Sequence, residues 1–142
     1  MTNFHELPDS IKCDDMKNYF IEYLIYYSSN TNEKNVYYAL SELLELADRQ
    51  WHTYEILDGE IKRQLEKYLK SIIDFEDIDI MDYILSIIPL LGMASLFDYI
   101  EIHKCDIRNK AVLRIIKESE YEYKQNVDEP YAGMRNCNAK KS

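Results

Sequence analysis

The chain is poor in the residues that break helices or build disulfide frameworks. Its 142 residues include only three glycines, three prolines and three cysteines. Strands joined by tight turns need more turn residues than this, so the composition disfavours a sheet protein. The cysteines, Cys13, Cys105 and Cys137, are odd in number and far apart. This pattern does not indicate disulfides and favours a reducing cytosol.

Long apolar runs and a leader sequence are also missing. The longest apolar stretch, Tyr83 to Phe97, is interrupted by serine, proline and glycine. It is shorter than the roughly 20 residues that a membrane-spanning helix needs. The first ten residues lack the basic region and apolar core of a signal peptide. We therefore expect a cytoplasmic protein that makes no use of a membrane.

Basic residues are the minority among the charged side chains. The 26 acidic residues exceed the 17 basic ones and give a net charge of −9. Nucleic-acid binders need lysine and arginine to neutralise phosphates, so we expect no direct contact with nucleic acid. If the protein has a macromolecular partner, a basic protein is favoured electrostatically. The alternative is that the acidic residues serve only solubility.

The chain is rich in apolar residues at helical spacing. An i, i+4, i+8 frame occurs three times, at Val36, Leu40 and Leu44, at Ile80, Ile84 and Ile88, and at Ile107, Ala111 and Ile115. Such a frame lines one face of a helix, which must be buried against neighbours. We predict one all-α domain in residues 1–125, with five to six helices stacked as antiparallel pairs. An irregular helical bundle is the alternative, and residues 126–142 are expected to form a flexible or loosely docked tail.

Capping and turn residues place the helix boundaries. Five of the predicted helices cover about residues 10–27, 33–50, 60–73, 93–103 and 106–123, and another, the fourth along the chain, runs to about residue 91. The acid-dense segment 74–79 precedes the fourth helix, where carboxylates complement the positive end of the helix dipole.

One segment resembles a HEAT repeat. Residues 92–118 read GMASLFDYIEIHKCDIRNKAVLRIIKE, with Asp106, Ile107, Arg108 and Ala111 matching the start of the second helix of such a repeat. The resemblance implies a HEAT-like α-α superhelix in which Asp106 and Arg108 help to link adjacent repeats. The earlier frames lack the arginine, so no ladder of arginines is expected.

Motifs for catalysis, phosphate binding and metal binding are not found. His5, His52 and His103 are distant in sequence and belong to no HExxH or Glu-x-x-His pair. Neither a glycine-rich phosphate loop nor a GxSxG elbow occurs. We expect no catalytic residue, metal or cofactor; an enzyme would need a polar cluster in a concave pocket once the chain is folded.

Acidic and aromatic residues are the candidates for partner binding. Glu42, Glu45 and Asp48 at i, i+3 and i+6 are predicted to form one solvent-facing ridge. The second acidic group consists of Asp74, Glu76, Asp77, Asp79 and Asp82. Among the 13 tyrosines and the single tryptophan, four residues are the hardest to place in the core and are predicted to supply contact area: Tyr37, Tyr38, Trp51 and Tyr54.

The size, acidity, helix content and tyrosine content are similar to those of bacterial immunity proteins. That resemblance implies a tight complex with a cognate toxin domain, often a nuclease with a basic substrate-binding surface. The leading hypothesis is a monomeric immunity protein that occludes such a surface. The alternative is a helical adaptor or phage-type inhibitor that binds another host protein.

Overall fold

The computed structural model describes residues 4–8, 11–29 and 35–123. Six α-helices follow one another: α1 Cys13–Ser29, α2 Val36–Trp51, α3 Gly59–Ile72, α4 Ile78–Leu91, α5 Ala94–His103 and α6 Lys110–Tyr123. Short 3₁₀ turns lie at Phe4–Glu6 and Lys104–Asp106. About 80% of the described residues are helical and none of them is in a strand. The all-α prediction is confirmed, whereas the predicted tail at 126–142 lies outside the described residues.

Side-chain caps explain where most of these helices begin. Asn35, Asp58, Asp77 and Asn109 each accept hydrogen bonds from backbone N–H groups in the first turn of α2, α3, α4 and α6. These bonds satisfy donors that have no partner within a helix. Gly92 ends α4 in the left-handed region, at φ 68° and ψ 46°, a conformation that glycine adopts without steric cost.

The helices alternate between two layers. Helix α3 packs against both α1 and α5, and α4 packs against both α2 and α6. The odd-numbered helices therefore form one layer and the even-numbered helices the other, with additional contacts between α1 and α2 and between α4 and α5. This is a stack of packed helices, and its most extensive contact joins α2 to α4.

Aromatic side chains of the N-terminal 3₁₀ turn and of α1 form part of the core. Phe4, Phe20 and Tyr23 have no exposed surface, and Tyr27 is 2% exposed. The Phe4 ring lies edge-on to the ring of Tyr19, with 6.2 Å between the ring centroids. The N-terminal 3₁₀ turn is thus anchored in the core through Phe4.

The buried guanidinium of Arg49 holds the residues that follow that turn. Its Nη2 donates to the Leu7 carbonyl at 2.8 Å and its Nε donates to the Pro8 carbonyl at 2.9 Å. Charged donors make such bonds stronger than those between neutral groups. Arg49 therefore fixes residues 7–8 on α2.

The last helix corrects two predictions. It begins at Lys110, so Asp106 and Arg108 precede it, because the Asn109 side chain caps the N–H groups of Ala111 and Val112. The buried positions of α6 are Val112, Ile116 and Ser119, whereas Ala111 and Ile115 are partly exposed. The predicted third frame is therefore shifted by one residue on α6.

Across residues 4–8, 11–29 and 35–123, no helix combines the length and the apolar character needed to cross a membrane.

Candidate partner-binding surface

The predicted ridge on α2 is not a ridge. Glu42 is 1% exposed, and its carboxylate accepts hydrogen bonds from the Tyr27 hydroxyl and, at 3.3 Å, from the Phe4 backbone N–H. Because an α-helix turns about 100° per residue, residues at i and i+6 lie about 120° apart around the axis. One member of such a set can therefore face inward while another is exposed. Phe4 and Tyr27 pack on Glu42, which faces the core, so the prediction of a solvent-facing ridge was wrong, whereas Asp48 faces solvent.

The burial of Glu42 also affects the tyrosine beside it. Burial raises the pKa of the Tyr27 hydroxyl, and the hydrogen bond to the Glu42 carboxylate raises it further. Tyr27 is therefore a neutral donor at physiological pH. It serves to satisfy a buried carboxylate, which would otherwise be costly in the core.

The remaining two acids of the α2 group are exposed to different degrees. The Glu45 carboxylate accepts from Arg49 Nη1 at 2.6 Å, so the cation next to it in space compensates its charge. The Asp48 side chain is 58% exposed and lies 3.8 Å from His52 Nδ1. Only Asp48 of the three presents a carboxylate with little compensation to solvent.

The four aromatic candidates lie at opposite ends of α2. Tyr37 and Tyr38 are in its first turn and are 45% and 50% exposed. Trp51 ends the helix, and Tyr54, in the connector beyond it, is 62% exposed with φ 60°. At about 1.5 Å per residue, the two ends of this group are roughly 20 Å apart. The predicted residues thus divide into two separate surfaces.

The second acidic group lies beside the first turn of α2. The Tyr37 hydroxyl donates a hydrogen bond to Asp77 Oδ2, while Asp77 Oδ1 caps α4 by accepting from the N–H groups of Asp79 at 2.9 Å and Ile80 at 3.1 Å. The bond from Tyr37, together with these backbone bonds, lowers the pKa of Asp77. Conversely, the bond to Asp77 and the charges of Asp79 and Asp74 raise the pKa of Tyr37.

Glu76 connects this acidic segment to the start of α6. Its carboxylate accepts from the backbone N–H groups of Arg108 and Asn109, both at 2.9 Å, and its carbonyl accepts from the Asn109 side chain at 3.0 Å. Asp74 Oδ1 accepts from the Glu76 N–H at 3.0 Å. Glu76 and Asp77 therefore have structural roles in addition to their charge.

An apolar groove of about 650 Å³ opens next to these acids. The first turns of α2 and α4 and the last turns of α3 and α5 border it, together with Asp106 and Ile107 before α6. Six apolar residues form its floor and walls: Val36, Ile72, Ile73, Phe75, Ile80 and Ile107. Three acidic residues, Asp74, Glu76 and Asp106, also line the groove. We call this groove and the acids Asp74, Glu76, Asp77, Asp79, Asp82 and Asp106 the acidic groove.

Exposure decides which of these acids can reach a partner. The exposed acids are Asp74, Glu76, Asp79, Asp82 and Asp106, of which Glu76 already accepts from the N–H groups of Arg108 and Asn109. On α4, Asp79 and Asp82 flank the buried Ile80 and Met81 in sequence. The acidic groove thus combines apolar area with several accessible carboxylates.

No protein-family model, curated protein or solved structure matches the chain.

In the described ranges, no group of three or more His, Cys, Asp or Glu side chains is placed to hold a metal ion. His103, at one wall of the acidic groove, stacks on the Phe75 ring with 5.1 Å between centroids and its Nδ1 lies 2.8 Å from the Tyr99 carbonyl. These contacts explain His103 as part of the packing between α5 and the connector before α4.

Sequence reasoning found the acids but not the groove beside them. Phe75, Ile73 and Ile72 could have been noticed as apolar residues next to or within the acid-dense segment. Ile107 and Val36 could not, because they reach the groove from distant parts of the chain. Asp106, expected to link repeats, instead stands at the groove.

Proposed function

We propose that this protein is a non-enzymatic immunity protein that binds a cognate bacterial toxin domain in the cytoplasm and occludes its basic active-site surface. The observation that carries the proposal is the acidic groove, where an apolar floor lies beside exposed carboxylates. In this account the carboxylates take the place of the nucleic-acid phosphates that a nuclease toxin would bind.

The apolar floor and the acidic residues have different tasks in this proposal. Ile72, Ile73 and Phe75 offer area for an apolar side chain of the toxin, which supplies affinity by losing contact with water. Asp79 and Asp82 steer lysine and arginine side chains toward the groove and speed association at low salt. The net charge of −9 acts in the same direction at longer range.

We further propose that the helix stack is a HEAT-like α-α arrangement. The alternation of odd and even helices between two layers supports it. The start of α6 does not follow the repeat pattern, since Asp106 and Arg108 precede the helix. The proposed likeness therefore concerns the stacking of helices and not a ladder of charged residues between repeats.

Affinity capture with matched baits tests the proposed function. Three tagged forms are compared in lysate of the native host: the unmodified chain, Asp79→Lys/Asp82→Lys, and Asp98→Lys/Glu118→Lys. The last pair has the same change in charge at exposed positions of α5 and α6. Circular dichroism first establishes that all three are folded, because lysine near the start of α4 opposes the helix dipole.

The proposal predicts one stoichiometric basic protein with a toxin domain, retained by the unmodified and control baits, lost from the Asp79/Asp82 bait, and weakened at high salt. Retention by all three baits would contradict the role of the acidic groove. Capture of a host housekeeping protein in place of a toxin would favour the alternative, an adaptor or phage-type inhibitor.

A further inference from the structure

A second groove lies on the layer of odd-numbered helices. It has a volume of about 990 Å³ and is lined by Leu24 from α1, Ser95 from α5 and several residues of α3. Arg63, Lys67 and Lys70 bring three cations to it from positions i, i+4 and i+7 of α3. Residues at this spacing share one face of a helix. We call it the α3 groove.

The carboxylates in the α3 groove are already engaged. Glu66 is buried, and its Oε2 accepts from the Leu96 backbone N–H at 3.2 Å, in the first turn of α5. Glu60 accepts from Arg63 and, at 3.0 Å, from the Gln64 amide; these two contacts lower the pKa of Glu60. Both acids thus have partners within the fold.

Lys67 and Lys70 carry charge that no acid in the described part of the chain compensates. Over the described ranges, no carboxylate lies within 4.0 Å of either ammonium group, whereas Arg63 is paired with Glu60. Lys70 Nζ instead stands 5.0 Å from the centroid of the Tyr99 ring on α5, which orients it by a cation–π contact. In a chain with nine excess negative charges, these two lysines bring positive charge to one groove that no described carboxylate compensates.

The spacing of the three cations along α3 favours an extended anionic partner over a single small anion. Along α3, Arg63 and Lys67 are separated by about 6 Å and Lys67 and Lys70 by about 4.5 Å, given a rise of 1.5 Å per residue. A single phosphate needs donors that converge on one point, whereas these are spread over roughly 10 Å. Carboxylates at i, i+4 and i+7 of a second helix have the same separations, and the buried Leu24 and Tyr68 lie at the base of the groove.

We propose that the α3 groove is a second binding site, which takes an acidic α-helix of a partner protein. Its carboxylates pair with Lys67 and Lys70 and compete with Glu60 for Arg63. The site is independent of the acidic groove, so one protein can hold a basic partner at one surface and an acidic helix at the other.

A designed peptide tests the proposal on the full chain. The probe is a fluorescein-labelled, alanine-based helical peptide with glutamates at i, i+4 and i+7, and its control has the same composition with glutamates at i, i+2 and i+5, which spread around the helix. Fluorescence anisotropy measures binding to the unmodified chain, to Lys67→Glu/Lys70→Glu, and to Lys110→Glu/Lys117→Glu. The last pair changes the charge equally at exposed positions of α6.

We expect the first peptide to bind more tightly than its control and to lose at least about tenfold in affinity with Lys67→Glu/Lys70→Glu, but not with the α6 pair. Equal affinity for the two peptides, equal loss with both variants, or no binding at all would overturn the proposal. The Asp79→Lys/Asp82→Lys variant is expected to bind the peptide normally, so failure here is distinguishable from failure of the immunity proposal.

Discussion

Replacing the buried Glu42 by alanine is expected to destabilise the fold substantially. The change removes the acceptor for two buried donors, the Tyr27 hydroxyl and the Phe4 N–H. A hydrogen bond to a charged group contributes about 1.5–3 kcal/mol, and an unsatisfied buried donor costs about 1–3 kcal/mol. Relief of the buried charge offsets part of this loss. We therefore expect Glu42→Ala to lower the free energy of unfolding by about 2–4 kcal/mol.

Urea unfolding followed by far-UV circular dichroism measures this loss, and Asp48→Ala is the matched control. Asp48 lies on the same helix with a side chain that is 58% exposed, so its replacement should change stability by no more than about 0.5 kcal/mol. Similar values for the two variants would refute the argument that Glu42 is a buried acceptor. They would favour the exposed ridge that the sequence suggested.

A double-mutant cycle isolates the contact itself. Tyr27→Phe removes the hydroxyl while keeping the ring in the core, where its centroid lies 4.5 Å from that of Tyr23. If the hydroxyl and the Glu42 carboxylate interact as described, the double variant should be more stable than the sum of the single losses predicts, by about 0.5–3 kcal/mol. Strict additivity would contradict a direct bond.

Three further predictions concern the connectors and the last helices. The hydrogen bond from the Tyr37 hydroxyl lowers the pKa of Asp77. The stability that Asp77 contributes is therefore present above its ordinary pKa of 3.8 and is lost as pH falls through the lower folded-state pKa. In urea unfolding from pH 7 to pH 2, the loss of unfolding free energy caused by Asp77→Asn should shrink below about pH 4. Gly92→Ala places a side chain at φ 68° and should lower the unfolding free energy by about 1 kcal/mol in the same assay, unlike Gly59→Ala, whose new methyl meets nothing within 4 Å. Burial and the neighbouring Glu120 raise the pKa of Glu101. Ionisation of this carboxyl group therefore destabilises the folded state as pH rises above 4.5. Glu101→Gln should raise the melting temperature at pH 7 but not at pH 4.

The helix boundaries were predictable because local chemistry sets them. Asp58 and Asp77 cap helices at the predicted places, and Gly92 ends α4 where its left-handed conformation is needed. Helices α2 and α6 begin later than predicted, and both have a local cause: Asn35 caps α2, which begins at Val36 instead of near residue 33, and Asn109 caps α6 three residues after Asp106. The structure confirms the all-α class and the number of helices.

The burial of Glu42 was not predictable from its own helix. It depends on Phe4, which is 38 residues away along the chain, and on Tyr27 from α1. An i, i+3, i+6 pattern of acids is compatible with an exposed face, and only the packing of residues 4–8 on α2 shows that one member faces inward. Contacts between distant segments decide such cases.

In the acidic groove, too, the features set by neighbouring residues could be predicted, and those that need distant segments could not. Its acids are contiguous in sequence and were identified as candidates, whereas its floor is assembled from Val36, Phe75 and Ile107 on three separate segments. Likewise, the sequence grouped Tyr37 with Trp51, although α2 holds them at opposite ends. Whether these residues bind a partner stays a prediction.

The most direct test of the central claim is a hydrogen-exchange footprint of the protein, alone and in complex with the partner that it captures. Binding at the acidic groove predicts slower exchange in residues 72–82 and 104–109, with no change in residues 48–57 at the far end of α2. Protection confined to residues 48–57, or to the outer face of α1, would contradict the account. Such protection would show that the partner binds outside the acidic groove.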